Sequence, residues 1–237
     1  MKKENFFGAL DIMNISHSDD IYEKFEIYTD YMLEYNKNIN LTAITDKQDI
    51  YIKHYLDSIS ILGYFDIQPN SKSIDIGTGA GFPSIPVKLL REDIDMTLVD
   101  SLNKRIIFLQ NLIEKLNLKN IIPIHSRAEE LAHKKEFRQS YDICMSRAVA
   151  NMSTLAEYCT PFLKKGGHLL CLKGQNVDDE LKNCQNAMKK LKCKIVDKKE
   201  VQLPFSDLHH NIVVVEKLGD TPDIYPRKSG TPSKNPL

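Results

Sequence analysis

The run Ser73-Ile74-Asp75-Ile76-Gly77-Thr78-Gly79-Ala80-Gly81-Phe82-Pro83 decides the fold of this chain. It predicts a short apolar strand carrying an acidic residue, then a turn with three glycines, then a helix that begins near a proline. Glycines at alternate positions permit backbone turns with positive φ, and they let a ligand approach main-chain N–H groups without a Cβ in the way. This geometry is typical of a site for a nucleoside-containing cofactor.

The spacing of the glycines separates the possible cofactors. The pattern for NAD or FAD is G-x-G-x-x-G, whereas Gly77, Gly79 and Gly81 form G-x-G-x-G and Phe82 occupies the third glycine position. Asp75, two residues before the first glycine, would repel a pyrophosphate. It suits a cofactor with a cationic centre and an amino group, such as S-adenosylmethionine. A glycine-rich turn that binds no ligand is the alternative interpretation.

Composition limits the class of protein. With 237 residues and 42% hydrophobic content, the chain suits one large domain, or one domain with an appendage. Lys+Arg and Asp+Glu number 32 each, so any surface for nucleic acid must be a local patch. Five cysteines without C-x-x-C spacing favour reduced thiols, and we expect no metal site. The N-terminus lacks the pattern of a signal peptide or membrane span, so we expect a cytoplasmic protein without a membrane partner. Nothing in the sequence suggests an obligate protein partner, so we expect a monomer, although the sequence leaves the oligomeric state open.

The alternation of strand and helix patterns predicts a Rossmann-like α/β fold. Apolar spacing predicts two amphipathic N-terminal helices, the first over about 21–35 and the second over 46–62. Strands are then expected at 73–76, 96–100, 121–125, 141–146, 167–173, 193–202 and 211–217, and helices or helical turns near 84–91, 103–116, 128–133, 151–163 and 177–190. Such βαβ units build a mostly parallel sheet with helices on both faces. The last two strands follow each other directly, which favours an antiparallel edge pair.

The predicted elements divide the chain into three parts. Residues 1–70 form an N-terminal helical appendage, residues 71–219 form the cofactor-binding core, and residues 220–237 form a basic, Pro-rich tail. Ligands of such sheets bind at the carboxyl ends of the strands, so the residues at those ends are the candidate site residues.

Two acidic residues at strand ends are candidates for contact with a nucleoside. Asp100 ends the second strand, where a carboxylate can accept both ribose hydroxyls; alternatively it caps the helix near Asn103. After the third strand, the Ala128 amide and the Glu129 carboxylate could bind the edge of an adenine. A plain capping box of Ser126 with Glu129 explains the same residues equally well.

Two basic residues at strand ends are candidates for positioning a substrate. Arg147, after the fourth strand, can bind a carboxylate or phosphate bidentately, or it can simply face solvent. Lys173, after the fifth strand, could contact a phosphate, although exposed lysines are common. His54 either packs a helix of the appendage on the core or contacts substrate. The sequence shows no Ser-His-Asp or Cys-His constellation, so the catalytic residues stay unassigned.

Several segments closely resemble the RsmG (GidB) family, in order and at the family's spacing. They are YNKNINLT at 35–42, HYLDS at 54–58, DIGTGAGFPSIP at 75–86, LVDSLNKR at 98–105, SRAVA at 146–150, LKGQ at 172–175, and the tail at 221–237. The chain departs from the family pattern at Ser84, where glycine is frequent, and at His209-His210, where arginine is frequent. Because an unperturbed histidine is mostly uncharged at neutral pH, these histidines weaken a possible phosphate contact.

The resemblance implies an S-adenosylmethionine-dependent methyltransferase that modifies N7 of a guanine in 16S ribosomal RNA. It implies cofactor contacts at Gly77, Phe82, Ala128, Glu129 and Arg147. The partner would be 16S rRNA or the small ribosomal subunit. The Rossmann-like core alone would equally permit a class I methyltransferase acting on a small molecule or a protein, or a non-catalytic protein that binds an adenosyl ligand.

Local basic residues are the candidates for contact with RNA: Lys104, Arg105, Lys173, Tyr225, Arg227 and Lys228. Tyr225 offers an aromatic ring among cations, which is a common arrangement for stacking unpaired bases. If the tail binds RNA, deleting residues 221–237 should weaken RNA methylation and leave the affinity for S-adenosylmethionine intact.

Overall fold

The structure, a computed structural model, describes residues 1–147 and 150–237. Its strands are β1 (Lys72–Ile76), β2 (Asp95–Asp100), β3 (Ile121–His125), β4 (Tyr141–Arg147), β5 (Leu163–Lys173), β6 (Cys193–Gln202) and β7 (His209–Lys217). They form one sheet in the order β3-β2-β1-β4-β5-β7-β6. The pairs among β1 to β5 are parallel, and β7 is antiparallel to both β5 and β6. The predicted seven-stranded, mostly parallel sheet with an antiparallel edge pair is confirmed.

The strand order places the ligand crevice beside β1. From β1 the chain proceeds outward through β2 to β3, and it then returns to the other side of β1 to build β4 and β5. The direction of winding therefore reverses between β1 and β4, which is the point where open α/β sheets bind their ligands. In this register Asp75 lies opposite Leu98 on one side and Met145 on the other.

The helices precede, join and follow the strands. They are α1 (Lys3–Ile12), α2 (Ile21–Asn36), α3 (Lys47–Ile50), a π-helix (Tyr51–Leu56), α4 (Asp57–Tyr64), α5 (Ser84–Leu90), α6 (Asn103–Lys115), α7 (Ala128–Leu131), α8 (Met152–Cys159), α9 (Asp178–Asn183), α10 (Gln185–Lys190) and α11 (Thr231–Lys234), with a short 3-10 turn at Thr160–Phe162. Within the described ranges, no helix has the length and apolar character that crossing a membrane requires.

The strands bury alternate side chains on opposite faces of the sheet. Ile143 and Met145 of β4 pack into a cluster with α1, α2, α5 and α6, whereas Cys144 packs into a second cluster with α8 and α10. This is the two-residue period of a strand buried on both sides. Helices on both faces are thus confirmed, and the N-terminal helices share one hydrophobic cluster with their face of the sheet.

The N-terminal region contains more helix than the sequence pattern predicted. The expectation of two helices there is wrong, because α1 precedes them and buries Phe6, Ala9 and Leu10; their i, i+3, i+4 spacing was the available signal. The helix expected at 46–62 is interrupted by the π-helix. Such π segments are rare and frequently occur at functional sites.

Four features differ from the predicted elements after residue 150. The helix expected at 151–163 ends at Cys159, near Pro161, which lacks an amide donor. The fifth strand therefore begins at Leu163, four residues earlier than predicted. The helix expected at 177–190 is two helices joined at Cys184, and β7 begins at His209 instead of residue 211.

Candidate functional site

The glycine turn adopts the backbone geometry that its sequence predicts. Gly77, Gly79 and Gly81 have φ values of +75°, +60° and +101°. A Cβ on Gly81 would lie 2.6 Å from Cγ1 of Ile85, whereas one on Gly79 would have no neighbour closer than 4.0 Å. The Gly77 N–H donates to the Val99 carbonyl at 2.9 Å. The turn is therefore held against β2, and open space lies above Gly79.

Asp100 joins the end of β2 to this turn. Its Oδ2 accepts from the Gly79 N–H at 3.0 Å and from Arg105 at 3.2 Å, and its Oδ1 accepts from the Leu102 N–H at 2.9 Å. The side chain is nearly buried. The interpretation of Asp100 as the cap of α6 is wrong, because Leu102 occupies the N-cap position. Its carboxylate is instead fixed at the carboxyl edge of the sheet.

A cavity of about 150 Å³ opens at this edge. It brings together four of the residues predicted to bind a cofactor, Gly77, Asp100, Ala128 and Glu129. The rest of its lining comprises Ile76, Val99, Ser101, Ser126, Arg127 and Tyr158. A larger cavity of about 340 Å³ lies at the amino ends of the strands, away from the predicted residues. Strand topology makes the smaller one the candidate ligand site.

Two of the six lining residues that were not predicted have large polar side chains. Arg127 is exposed and directly precedes α7, and Tyr158 reaches the cavity from α8. The position of Arg127 at the end of the third strand was a usable signal. For Tyr158 there was none, because it lies inside a helix far from any motif.

Glu129 is held by the C-terminal tail and not by a capping box. Its Oε1 accepts from the Gly230 N–H at 3.0 Å. The Ser126 hydroxyl donates to the Arg127 carbonyl, and Arg127 is the N-cap residue of α7. The capping-box interpretation is therefore wrong. Glu129 is nearly buried at the wall of the cavity.

Asp75 is a fully buried acid beneath the glycine turn. Neither of its carboxylate oxygens accepts a hydrogen bond of acceptable geometry from the described residues. Burial raises the pKa of Asp75 to about 7, against the opposing influence of the Thr78 and Ser84 hydroxyls and the charge of Arg147. An unpartnered buried carboxylate is costly, so Asp75 is suited to receive a cationic ligand group.

Arg147 forms the second half of the site, together with the N-terminal helices. Its Nη1 donates to Asp57 Oδ2 at 2.9 Å, and its Nη2 lies 3.1 Å from His54 Nδ1. The guanidinium carbon lies 4.6 Å from the centre of the Phe82 ring, which is a cation–π distance. The interpretation of Arg147 as a solvent-facing arginine is wrong. Phe82 and Arg147 meet each other but do not line the cavity that Glu129 borders.

His54 packs the appendage onto the glycine turn. Its ring stacks on Phe82 with centroids 4.5 Å apart, and its Nε2 lies 2.7 Å from the Thr42 hydroxyl. Burial, and secondarily the charge of Arg147, lower the pKa of His54 to about 4. The imidazole is therefore neutral at neutral pH, and its contacts are those of a packing residue.

Asp57 and His210 extend this polar network to β7. The Nδ1 of His210 lies 2.8 Å from Asp57 Oδ1, and its Nε2 lies 3.1 Å from the Ser60 hydroxyl. Burial alone would raise the pKa of Asp57, but His210 and Arg147 lower it overall. His210 is nearly buried, so its side chain packs inside the protein against the N-terminal helices.

Lys173 is committed to a contact inside the protein. Its Nζ donates to the Ala150 carbonyl at 2.8 Å and lies 2.7 Å from Glu180 Oε2. Its side chain is only 9% exposed, so the predicted contact with an RNA phosphate is wrong for this conformation. Lys173 instead positions the segment that follows β4. Residues 148 and 149 of the SRAVA motif, which precede Ala150 in the sequence, lie outside the described ranges.

The tail is folded against α8 and is not a free basic arm. Tyr225 is 7% exposed and belongs to the second hydrophobic cluster, so a stacking role for its ring is wrong. Arg227 donates from Nε and Nη2 to the fully buried Glu157 at 2.9 and 2.7 Å. Among the predicted RNA contacts, Lys104 and Lys228 are exposed, and Arg105 is partly exposed.

The strand order and the glycine turn define a Rossmann-like α/β fold with its candidate ligand site at the carboxyl edge of the sheet. A family model described as "rRNA small subunit methyltransferase G" (GidB) matches residues 21–208. The chain belongs to this family. Among solved structures, it resembles M. jannaschii TYW2 in complex with AdoMet, with a TM-score of 0.54, 15% identity, and coverage of 74% of this chain and 80% of that one.

Relatives of similar length carry the same description. The "Ribosomal RNA small subunit methyltransferase G" of Clostridium perfringens (strain 13 / Type A) is 46% identical over 229 residues, covering 97% of this chain and 96% of the relative. The protein of the same name from Streptococcus uberis is 47% identical over 239 residues, covering 100% of both chains. The similarity therefore includes the N-terminal helices and the tail as well as the core.

Proposed function

We propose that this protein transfers a methyl group from S-adenosylmethionine to N7 of a guanine in 16S rRNA, in the cytoplasm where small ribosomal subunits are assembled. The observation that carries the proposal is the match over nearly the whole chain to ribosomal RNA small subunit methyltransferases. The site supports it, because each of its acids suits a different part of the cofactor.

The residues of the carboxyl edge would hold the cofactor in three places. Asp75 is a buried acid without a hydrogen-bond partner among residues 1–147 and 150–237, and it suits the α-ammonium group. Asp100 is a fixed carboxylate that suits the ribose hydroxyls. Ala128 and Glu129 border the cavity that suits the adenine. Open space above Gly79 lets the ligand cross the turn from one half of the site to the other.

The reaction makes modest demands on the side chains. When bound, S-adenosylmethionine supplies an electrophilic methyl group on a sulfonium. Guanine N7 carries an in-plane lone pair and no proton, so this protein needs no general base for the attack. Its contribution is to orient the two reactants and exclude water. Arg147 and Phe82 are the candidates for orienting the base, because Asp57 and His54 hold them beside the glycine turn and outside the adenine cavity.

Binding of S-adenosylhomocysteine should strengthen as the pH rises through 7. The carboxyl of Asp75 has a pKa of about 7 because it is buried, and only its ionised form attracts the ammonium group. If only that form binds, the affinity at pH 8 should be about tenfold higher than at pH 6. Titration calorimetry of the wild type and of Asp75→Asn measures this. The variant should bind weakly with little change over the same range, and an equally steep profile in both proteins would contradict the assignment.

The transfer itself is tested with a labelled methyl donor. Small ribosomal subunits, or bare 16S rRNA, from a strain that lacks the gene should accept label as 7-methylguanosine. Subunits from the parent strain are the control, since their target guanine is already methylated. Transfer to a small molecule or a protein, with none to either form of RNA, would overturn the proposal in favour of a different class I methyltransferase.

A further inference from the structure

The C-terminal tail reaches the wall of the candidate cofactor cavity. The Thr154 hydroxyl of α8 donates to the Pro232 carbonyl at 2.9 Å, and Arg227 is bound to Glu157 of the same helix. Arg138 donates to the Thr221 carbonyl at 2.8 Å. The first two contacts hold the tail against α8, and Arg138, in the loop before β4, holds its beginning. The tail backbone therefore has a defined position relative to the cavity.

One backbone group of the tail is bound to a residue that lines the cavity. Gly230 has a φ of +81°, in the left-handed region that favours glycine. In this conformation its N–H donates to Glu129 Oε1 at 3.0 Å. Glu129 lines the cavity, and its Oε2 has no hydrogen-bond partner in the part of the chain that the structure describes. A carboxylate bound through one oxygen loses rotamer freedom, so the second oxygen is held in a fixed direction.

We propose that the tail is a working part of the cofactor site. The Gly230 N–H orients Glu129 so that its second oxygen accepts the exocyclic amine of the adenine. Gly230 is thereby a positioning residue for base recognition. The inference rests on one part of the proposed function, the binding of an adenosyl cofactor in the cavity. It does not depend on methyl transfer to RNA. It reverses the expectation that the tail serves RNA and can be removed without effect on cofactor affinity.

Two glycines make a matched pair for the test. Gly230→Val places a β-branched residue at a φ of +81° and should open the turn that presents the N–H. Gly166→Val places the same residue at a φ of +82° near the start of β5, so it causes the same backbone strain. At both positions an added Cβ would meet no atom within 4 Å. Both variants are full-length chains, and thermal unfolding without ligand reports whether they are equally stable.

The readout is a preference for one base over another. Calorimetry compares S-adenosylhomocysteine with its inosine analogue, in which a carbonyl oxygen replaces the exocyclic amine. The wild type should prefer the adenosyl compound by about tenfold, the equivalent of one charged hydrogen bond. Gly166→Val should keep this preference, whereas Gly230→Val should reduce it to less than about threefold. Glu129→Gln should lose or reverse it, since an amide can donate to the carbonyl.

An unchanged preference in Gly230→Val would overturn the inference, even if both ligands bound more weakly. An unchanged preference in Glu129→Gln would do the same, because the acid would then not contact the base. Neither result depends on RNA. A wild type that binds S-adenosylhomocysteine with the expected preference but does not methylate rRNA would reject the proposed function and leave this inference standing.

Discussion

Replacing Arg227 with methionine should lower the free energy of unfolding by roughly 3 kcal/mol, because the charge of Glu157 would remain buried without its ionic partner. Glu157 is 0% exposed, and Arg227 supplies it with two side-chain donors and one backbone N–H. Only the backbone donor would survive the substitution. Urea denaturation at neutral pH, monitored by circular dichroism, measures the change.

The neighbouring lysine provides the matched control. Lys228 is exposed, so Lys228→Met should change the stability by less than about 0.5 kcal/mol. A double variant with Arg227→Met and Glu157→Gln should recover part of the loss, since the buried group is then neutral. If Arg227→Met were as stable as Lys228→Met, the tail would not be held by this ion pair.

Replacing Asp100 with alanine should weaken the binding of S-adenosylhomocysteine by about 100-fold. Hydrogen bonds to a charged group contribute roughly 1.5–3 kcal/mol each, and tenfold in affinity corresponds to about 1.4 kcal/mol. Asp100 is 3% exposed and is proposed to bind the ribose hydroxyls. The substitution also removes the acceptor that fixes the Gly79 N–H, which acts in the same direction.

The same strand offers a control for this variant. Asp95 begins β2 at the opposite edge of the sheet and is exposed, so Asp95→Ala should bind the ligand as the wild type does. Calorimetry gives both affinities, and unfolding curves show whether either variant has lost structure. An affinity within threefold of the wild type for Asp100→Ala would remove this residue from the proposed site.

Much of the fold could be predicted because its signals are local. Alternation of strand and helix patterns was sufficient for a parallel sheet, and the positive φ values of Gly77, Gly79 and Gly81 follow from their lack of a side chain. The errors lie where local signals are weak or ambiguous. Helix α1 buries only three of its ten residues, so its apolar spacing is a weak signal. The helix before β5 ends at a 3-10 turn that periodicity does not reveal.

The site was predictable in part, because residues at strand ends must share one edge of a parallel sheet. Asp100 and Glu129 do border one cavity. Nothing in the sequence showed that Arg147 lies outside that cavity. Nor did the sequence show that Arg147 contacts Asp57 and His54, which precede it by about 90 residues. Those partners belong to the N-terminal helices, whose packing against the sheet has no local sequence signal.

The sequence by itself determined the order of elements, the glycine turn and the identity of the charged residues at the strand ends. Only the tertiary structure decided which of those charges are available to a ligand. Arg227 and Lys173 resembled exposed cations in the sequence, yet each is paired with a glutamate, Arg227 with Glu157 and Lys173 with Glu180. Asp75, in contrast, has no hydrogen-bond partner within the described part of the chain. The physical reason is that backbone preferences act between neighbours in the chain, whereas burial and ion pairing depend on residues that only folding brings together.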